Sequence, residues 1–116
     1  MLPLKNRLKK NRDFQQIFKK GQFLREDFLT LKILPNGLKN SRFGFIISAK
    51  VSKKAVFRNK IKRWLKAAIL LYLNKIQKPV DIIIIVKPGL EIKNFQEVKK
   101  TIDKIFKKLE HYGIFN

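Results

Sequence analysis

The chain has 116 residues, the size of one domain, and 45% of them are hydrophobic, enough for one modest core. Its 28 Lys and Arg against 8 Asp and Glu give a formal charge of +20, a self-repulsion that a bound polyanion would offset. Plentiful Ile, Leu, Val and Phe exclude a disordered basic tail, and the absence of cysteine excludes disulfides and thiolate metal sites. Nucleic acid is therefore the leading class of partner, with an anionic membrane surface second. The N-terminus "MLPLKNRLKKNRDF" lacks the apolar region of a secretion signal. The longest apolar runs, "AAILLYL" and "VDIIIIV", are too short to span a bilayer. The expectation is a soluble, cytoplasmic protein, a single nucleic-acid-binding domain over residues 1–116.

"NRDFQQIFKKG" (11–21) reads as a short helix that Asn11 can cap, with Phe14, Ile17 and Phe18 on one face and Gly21 just past its end. "QFLRE" and "DFLTLKIL" alternate apolar and polar residues as half-buried strands do. "PNGLKNS" (35–41) carries the Asn36-Gly37 turn signal, and "RFGFIISA" (42–49) is the returning strand. A helical pattern covers about 55 to 76, and Pro79 ends it. "VDIIIIV" (80–86) reads as a strand buried on both faces. The last helix starts at Asn94, with Glu97 in a variant capping box and Val98, Ile102, Ile105 and Leu109 as its buried stripe. The fold expected is a small α+β two-layer sandwich of order α-β-β-β-α-β-α, helices packed on a four-stranded mixed sheet. The unit 42–49, 55–76, 80–86 has the length of a crossover between parallel strands.

The helix beginning "AVFRNKIKRWLKAA" (55–68) is basic on one side only. With Arg58 at zero, Lys62 falls at about 40°, Lys66 at about 80°, Asn59 at about 100° and Arg63 at about 140°. Phe57, Ile61, Trp64, Leu65, Ala68 and Tyr72 take the opposite arc, so Trp64 reads as core. A solvated face would mix signs, because like charges at i, i+4 destabilise a helix. Here no acid occurs between Asp27 and Asp81. Phosphate recognition explains the strip better: Arg forks across two oxygens, Lys adds point charge, and Asn can both donate to phosphate and accept from a 2′-hydroxyl. Lys50, Lys53 and Lys54 extend the strip toward the helix N-terminus, whose free amides also attract anions.

"RNKIKR" (58–63) resembles the Arg-Asn-Arg-x-x-Arg signature of the bacterial ribonuclease P protein family. "SAKVSKKAVF" resembles the lead-in to that signature, "LKKNRDFQQIFKKG" the family's first helix, and "SRFGFIIS", "DIIIIVKPG" and "VKKTIDKIFKKL" follow in family order. The resemblance implies an accessory subunit of a catalytic RNA that removes the 5′ leader of precursor tRNA. Its partners would be that RNA and the precursor, with no membrane and no small-molecule substrate. Mg²⁺ would be the cofactor, held mainly by the RNA subunit, which performs the hydrolysis. The signature helix, with Arg58, Asn59, Lys60, Lys62, Arg63 and Lys66, would face the RNA. A cleft between the first helix and the sheet would take the single-stranded leader beside Phe14, Phe18 and Arg42. A left-handed crossover is implied too, against the usual right-handed rule.

The chain departs from the family at three places. Lys60 stands where the signature has Arg, at about 200° on the wheel and off the strip. Ser52 or Lys53 stands where the lead-in often has Gly, and Leu31 where some members have a cleft aromatic. Phe14 and Phe18 have two open readings, core packing or a stacking platform for bases. Arg42, at the start of a strand the resemblance places beside the cleft, is a weaker phosphate candidate, and Lys9, Lys10 and Arg12 are similar.

The chain offers no catalytic site of its own. His111, the sole histidine, reads as a surface residue without an acid–base partner. The carboxylates are scattered, with Glu26-Asp27 the only adjacent pair, and adjacent strand residues point to opposite faces. A structural binder of ribosomal RNA is the alternative function. A DNA-binding module lacks its helix-turn-helix, and a membrane-surface helix conflicts with an apolar arc committed to the sheet.

Overall fold

The computed structural model describes residues 2–88 and 94–111. Helix α1 (Asn11–Lys20) is followed by strands β1 (Gln22–Glu26), β2 (Leu29–Pro35) and β3 (Arg42–Ile47). Helix α2 (Ala55–Leu70), strand β4 (Val80–Val86) and helix α3 (Phe95–Glu110) complete the order. The strands form one four-stranded mixed sheet in the order β1-β2-β4-β3. β1–β2 and β2–β4 are antiparallel, and β3–β4 is parallel.

β4 lies in the middle, which is why its sequence is almost wholly apolar: Ile82, Ile83 and Ile84 are each at most 1% exposed. Full burial of one such side chain stabilises by roughly 1.5–3 kcal/mol. Alternate residues serve different cores. Ile82, Ile84 and Val86 join Leu29, Leu31, Ile33 and Phe43 against Ile61, Leu65 and Ile69 of α2 and Val98, Ile102, Ile105 and Leu109 of α3. Ile83 joins Ile17 of α1 and Leu8 on the other face, with Phe14, Leu34, Ile46 and Ile85 packed around them. That face is only partly covered: Thr30, Lys32, Leu34, Ile46 and Ile85 keep part of their surface open.

Several local expectations change. The Asn36-Gly37 signal marks a turn, with Gly37 at φ +65° and the Leu38 N–H donating to Asn36 Oδ1. It does not make a hairpin, because β4 inserts between β2 and β3. Asn11 is the first residue of α1 rather than its cap; Lys10 holds that position without a side-chain bond. Gly21 ends α1 with φ −71°, so close approach is its role: a Cβ there would lie 2.5 Å from the Ile17 carbonyl oxygen and 3.2 Å from that of Ile33. α2 stops at Leu70, and a short 3-10 turn covers Leu73–Lys75. The stop precedes Pro79, so the proline is not what ends the helix; just beyond the stop the Tyr72 ring stacks on Phe106 of α3 at 4.4 Å, and its hydroxyl donates to Asp103. Asn94 caps α3 as expected, accepting from the Glu97 N–H at 3.0 Å.

The segment before α1 lies along the free edge of β3. Arg7 pairs with Phe43 in an isolated parallel bridge, and the Leu8 N–H donates to the Phe43 carbonyl at 2.9 Å. This pairing brings Arg7 beside the basic face of α2.

Candidate nucleic-acid interface

α2 is anchored by Ile61, Leu65, Ala68 and Ile69, all fully buried, which leaves the opposite side to solvent. Asn59 and Arg63 are exposed there, with no side-chain hydrogen bond or ion pair to another described residue. Arg58 is half-buried and donates from one terminal nitrogen to the Ser52 carbonyl at 2.7 Å. That bond ties the loop to the helix, and further guanidinium donors are left over. Lys60 points elsewhere: its Nζ lies 5.4 Å over the ring of Trp64, itself only partly buried against the core. The helical angle of Lys60 separates it from the strip, and the geometry agrees.

Lys50, Lys53 and Lys54 are exposed in the loop leading into α2. Ser48 and Ser52 shape it by accepting the N–H groups of Lys50 and Lys54 through their hydroxyls. The helix N-terminus has no side-chain cap and no acid in its first turn, so its partial positive charge adds to the lysines.

Lys62 and Lys66 line a groove that helical angle alone does not reveal. A cavity of about 180 Å³ is bounded by these two, Arg7, Leu8, Phe14, Phe43, Gly44 and Phe45. It therefore joins the basic helix to the α1 face of the sheet around the β3 edge. Burial, then the charges of Arg7 and Lys62, push the Lys66 ammonium below its ordinary pKa. Lys66 Nζ also lies 6.0 Å over the Phe45 ring. Cations this close, without a carboxylate in the lining, favour an anion between them.

Phe14 and Phe18 are treated differently. Phe14 is half-buried over β3, where a Cβ on Gly44 would lie 2.5 Å from its Cζ. Phe18 is 41% exposed. Phe14 thus packs with one part of its ring and lines the groove with another. Leu31 is not a cleft residue, because strand alternation buries it on the helix side at 1% exposure, and its neighbour Lys32 faces α1.

Arg42 begins β3 beside the cleft, but its guanidinium is already engaged. Nε and a terminal nitrogen donate to Asp81 at 2.9 and 2.6 Å, and the other terminal nitrogen reaches Asp13 at 3.3 Å. The bonds to Asp81 hold Arg42 more firmly charged than usual. Asp81 is buried and also accepts from Asn36 Nδ2 at 2.8 Å. Arg42 therefore fastens α1, β3 and β4 together. Lys9, Lys10 and Arg12 are exposed around the start of α1.

Three further residues join this region: Arg7, Gly44 and Lys32. Gly44 has a readable signal in the sequence, since glycine inside a strand marks close approach of another group. Arg7 has none, because only the bridge to β3 brings it to the groove.

Comparison with known proteins gives one consistent result. The family model described as Ribonuclease P matches residues 2–110. A ribonuclease P protein component of Syntrophomonas wolfei is 35% identical over 93% of this chain and 90% of its own. That of Fusobacterium nucleatum is 39% identical over 88% of this chain and 95% of its own. Among solved structures, the Staphylococcus aureus RNase P protein superposes with a TM-score of 0.82 at 28% identity, covering 96% of this chain and 98% of that one. The Thermotoga maritima RNase P protein gives 0.77 at 32% identity, covering 88% and 96%.

Proposed function

The chain belongs to the ribonuclease P protein family and so to tRNA processing, and from that premise we propose that it joins a catalytic RNA and the 5′ leader of precursor tRNA through one continuous surface. In this reading the signature face of α2 binds the RNA subunit. Arg58 and Arg63 fork onto phosphates, Lys62 and Lys66 add charge, and Asn59 bridges phosphate and ribose. Lys50, Lys53 and Lys54 carry the same surface onto the loop.

The single-stranded leader lies along the α1 face, with bases stacked on Phe14 and Phe18. One observation carries this proposal: Arg7, Lys62 and Lys66 share a groove with Phe14, so phosphate-binding and base-stacking groups meet at one place. Arg42 serves as a positioning residue here, holding α1 at the angle that opens the cleft.

The protein's part in the reaction is alignment. Fixing the leader on one side and the RNA subunit on the other holds the scissile phosphate in the catalytic RNA and lowers the entropic cost of reaching it. Among the described residues no three His, Asp or Glu come together as a metal site, and the acids beside the cleft, Asp13 and Asp81, are paired with Arg42. With no unpaired carboxylate beside the cleft among the described residues, the ion belongs with the RNA subunit. The protein works in the cytoplasm with its precursor substrates; no described helix is long and apolar enough to cross a membrane.

The test is reconstitution with a bacterial ribonuclease P RNA and precursor tRNA at low Mg²⁺. Cleavage should be enhanced by the protein. No enhancement, together with tight binding to ribosomal RNA fragments, would favour a structural ribosomal role instead.

A further inference from the structure

β1 is an edge strand, paired only with β2. Leu24 on it is buried toward α2 and α3, so Phe23 and Arg25 face the α1 side. Phe23 is 53% exposed there. The Arg25 guanidinium carbon lies 5.5 Å from its ring centroid and Lys32 Nζ 5.7 Å. Strand pairing sets Phe23, Lys32, Ile83 and Gly44 in one row across the sheet, and the Phe14 ring stands over Gly44 at the far end. The row spans three strand spacings, about 14 Å.

An exposed ring flanked by cations could simply shelter their aliphatic stems. Edge strands, however, are protected by charge and not by large aromatics, and Arg25 alone would give that protection. The acids of this hairpin point away: Glu26 pairs with Lys108, and Asp27 with Lys104 and Thr101, all on α3. What remains at Phe23 is an exposed ring with two cations beside it, in line with the groove at Phe14, while the acids of the α1 face, Asp13 and Asp81, are paired with Arg42. This is the composition of a single-strand stacking platform.

We propose that Phe23, with Arg25 and Lys32, is a base-stacking subsite for single-stranded RNA at the β1 end of the cleft. Phe23 takes a base of the leader beyond those at Phe14, and the two cations take the phosphates on either side of it. The subsite rests on the reading of the α1 face as the leader cleft.

The test uses the reconstituted holoenzyme with mature tRNA and a series of precursors whose leaders lengthen one nucleotide at a time. With the unaltered protein, affinity should climb in steps, the last of them when the leader reaches Phe23. Phe23→Ala should remove that last step, a loss of about tenfold. Phe23→Tyr should restore it. A fluorescent 2-aminopurine walked along the leader should be quenched at one distal position, and that quenching should vanish in Phe23→Ala. If Phe23→Ala leaves every step intact, the subsite is refuted while the leader cleft stands. If it weakens mature tRNA and all leaders alike, Phe23 acts on assembly and the subsite is likewise refuted. If the unaltered protein shows no dependence on the leader at all, the cleft reading falls and the subsite with it.

Discussion

The Phe14 ring occupies the space that a side chain at residue 44 would need: a Cβ on Gly44 would lie 2.5 Å from Phe14 Cζ and 2.6 Å from Cε1. The glycine lets an aromatic from α1 rest on the backbone of β3 and still border the groove that Lys62 and Lys66 share. Gly44→Ala should therefore displace Phe14. The expected loss of stability is about 1–3 kcal/mol, the usual cost of overpacking. Affinity for precursor tRNA should fall while that for mature tRNA holds. Denaturant unfolding and paired binding measurements check both parts, and an undisturbed leader preference would place Phe14 outside the cleft.

Arg42→Ala separates a positioning role from a phosphate ligand. The substitution strands Asp81, whose side chain is 6% exposed, without its forked partner. Stability should drop by about 2–3 kcal/mol, between the value of a charged hydrogen bond and that of a broken, fully buried pair. Asp13 would lose its hold as well, loosening the start of α1. The salt dependence of RNA binding should keep its slope, because the number of phosphates bound does not change. A flatter slope at unchanged stability would instead make Arg42 a phosphate ligand.

Where periodicity alone decides a residue's face, the chain is legible. β4 is buried on both sides as its run of isoleucines implies, and α3 buries the stripe from Val98 to Leu109. Where a residue's role depends on a distant neighbour, it is not. Asn36-Gly37 marks a turn, but nothing local says that β4 will insert between the strands it joins. The alternation read in "QFLRE" is not strict, because Phe23 and Leu24 are adjacent, and burial decides the face only when Leu24 meets the core and Phe23 does not. Arg42 reads as a free cation in the sequence because Asp81 lies 39 residues away. The basic face of α2 is legible, since charge and helical angle are both local. Its continuation through Arg7 into the cleft is not, because a single bridge to Phe43 creates it.

Lys62→Ala and Arg63→Ala address the proposed RNA-subunit surface. Each should weaken association with the catalytic RNA at low salt and reduce the slope of log K against log salt by about 0.7–0.9 for every phosphate no longer neutralised. Neither should alter stability by more than about 0.5 kcal/mol, the range of surface changes away from structural features. Lys60→Ala should change the slope less, because its ammonium sits over Trp64 and away from the strip. Equal slopes for all three variants and the unaltered protein would return this face of α2 to ordinary solvated surface.

Lys66 gives a test that needs no substitution. Burial, followed by the charges of Arg7 and Lys62, lowers its pKa in the folded protein from the ordinary 10.5. Between the folded value and 10.5 the unfolded chain holds the extra proton, so stability should rise with pH across that window. Below the folded value the destabilisation is fully present. A phosphate in the groove reverses the imbalance: it favours the charged ammonium and raises the pKa again. Binding should then take up a proton within the window, and affinity should fall as pH climbs through it. Following the Lys66 Cε resonance by NMR during a pH titration, with and without an RNA oligonucleotide, reads this site apart from other lysines. The midpoint should lie below 10.5 in the free protein and move up when RNA is bound. A midpoint that RNA does not move would remove Lys66, and the groove with it, from the proposed interface.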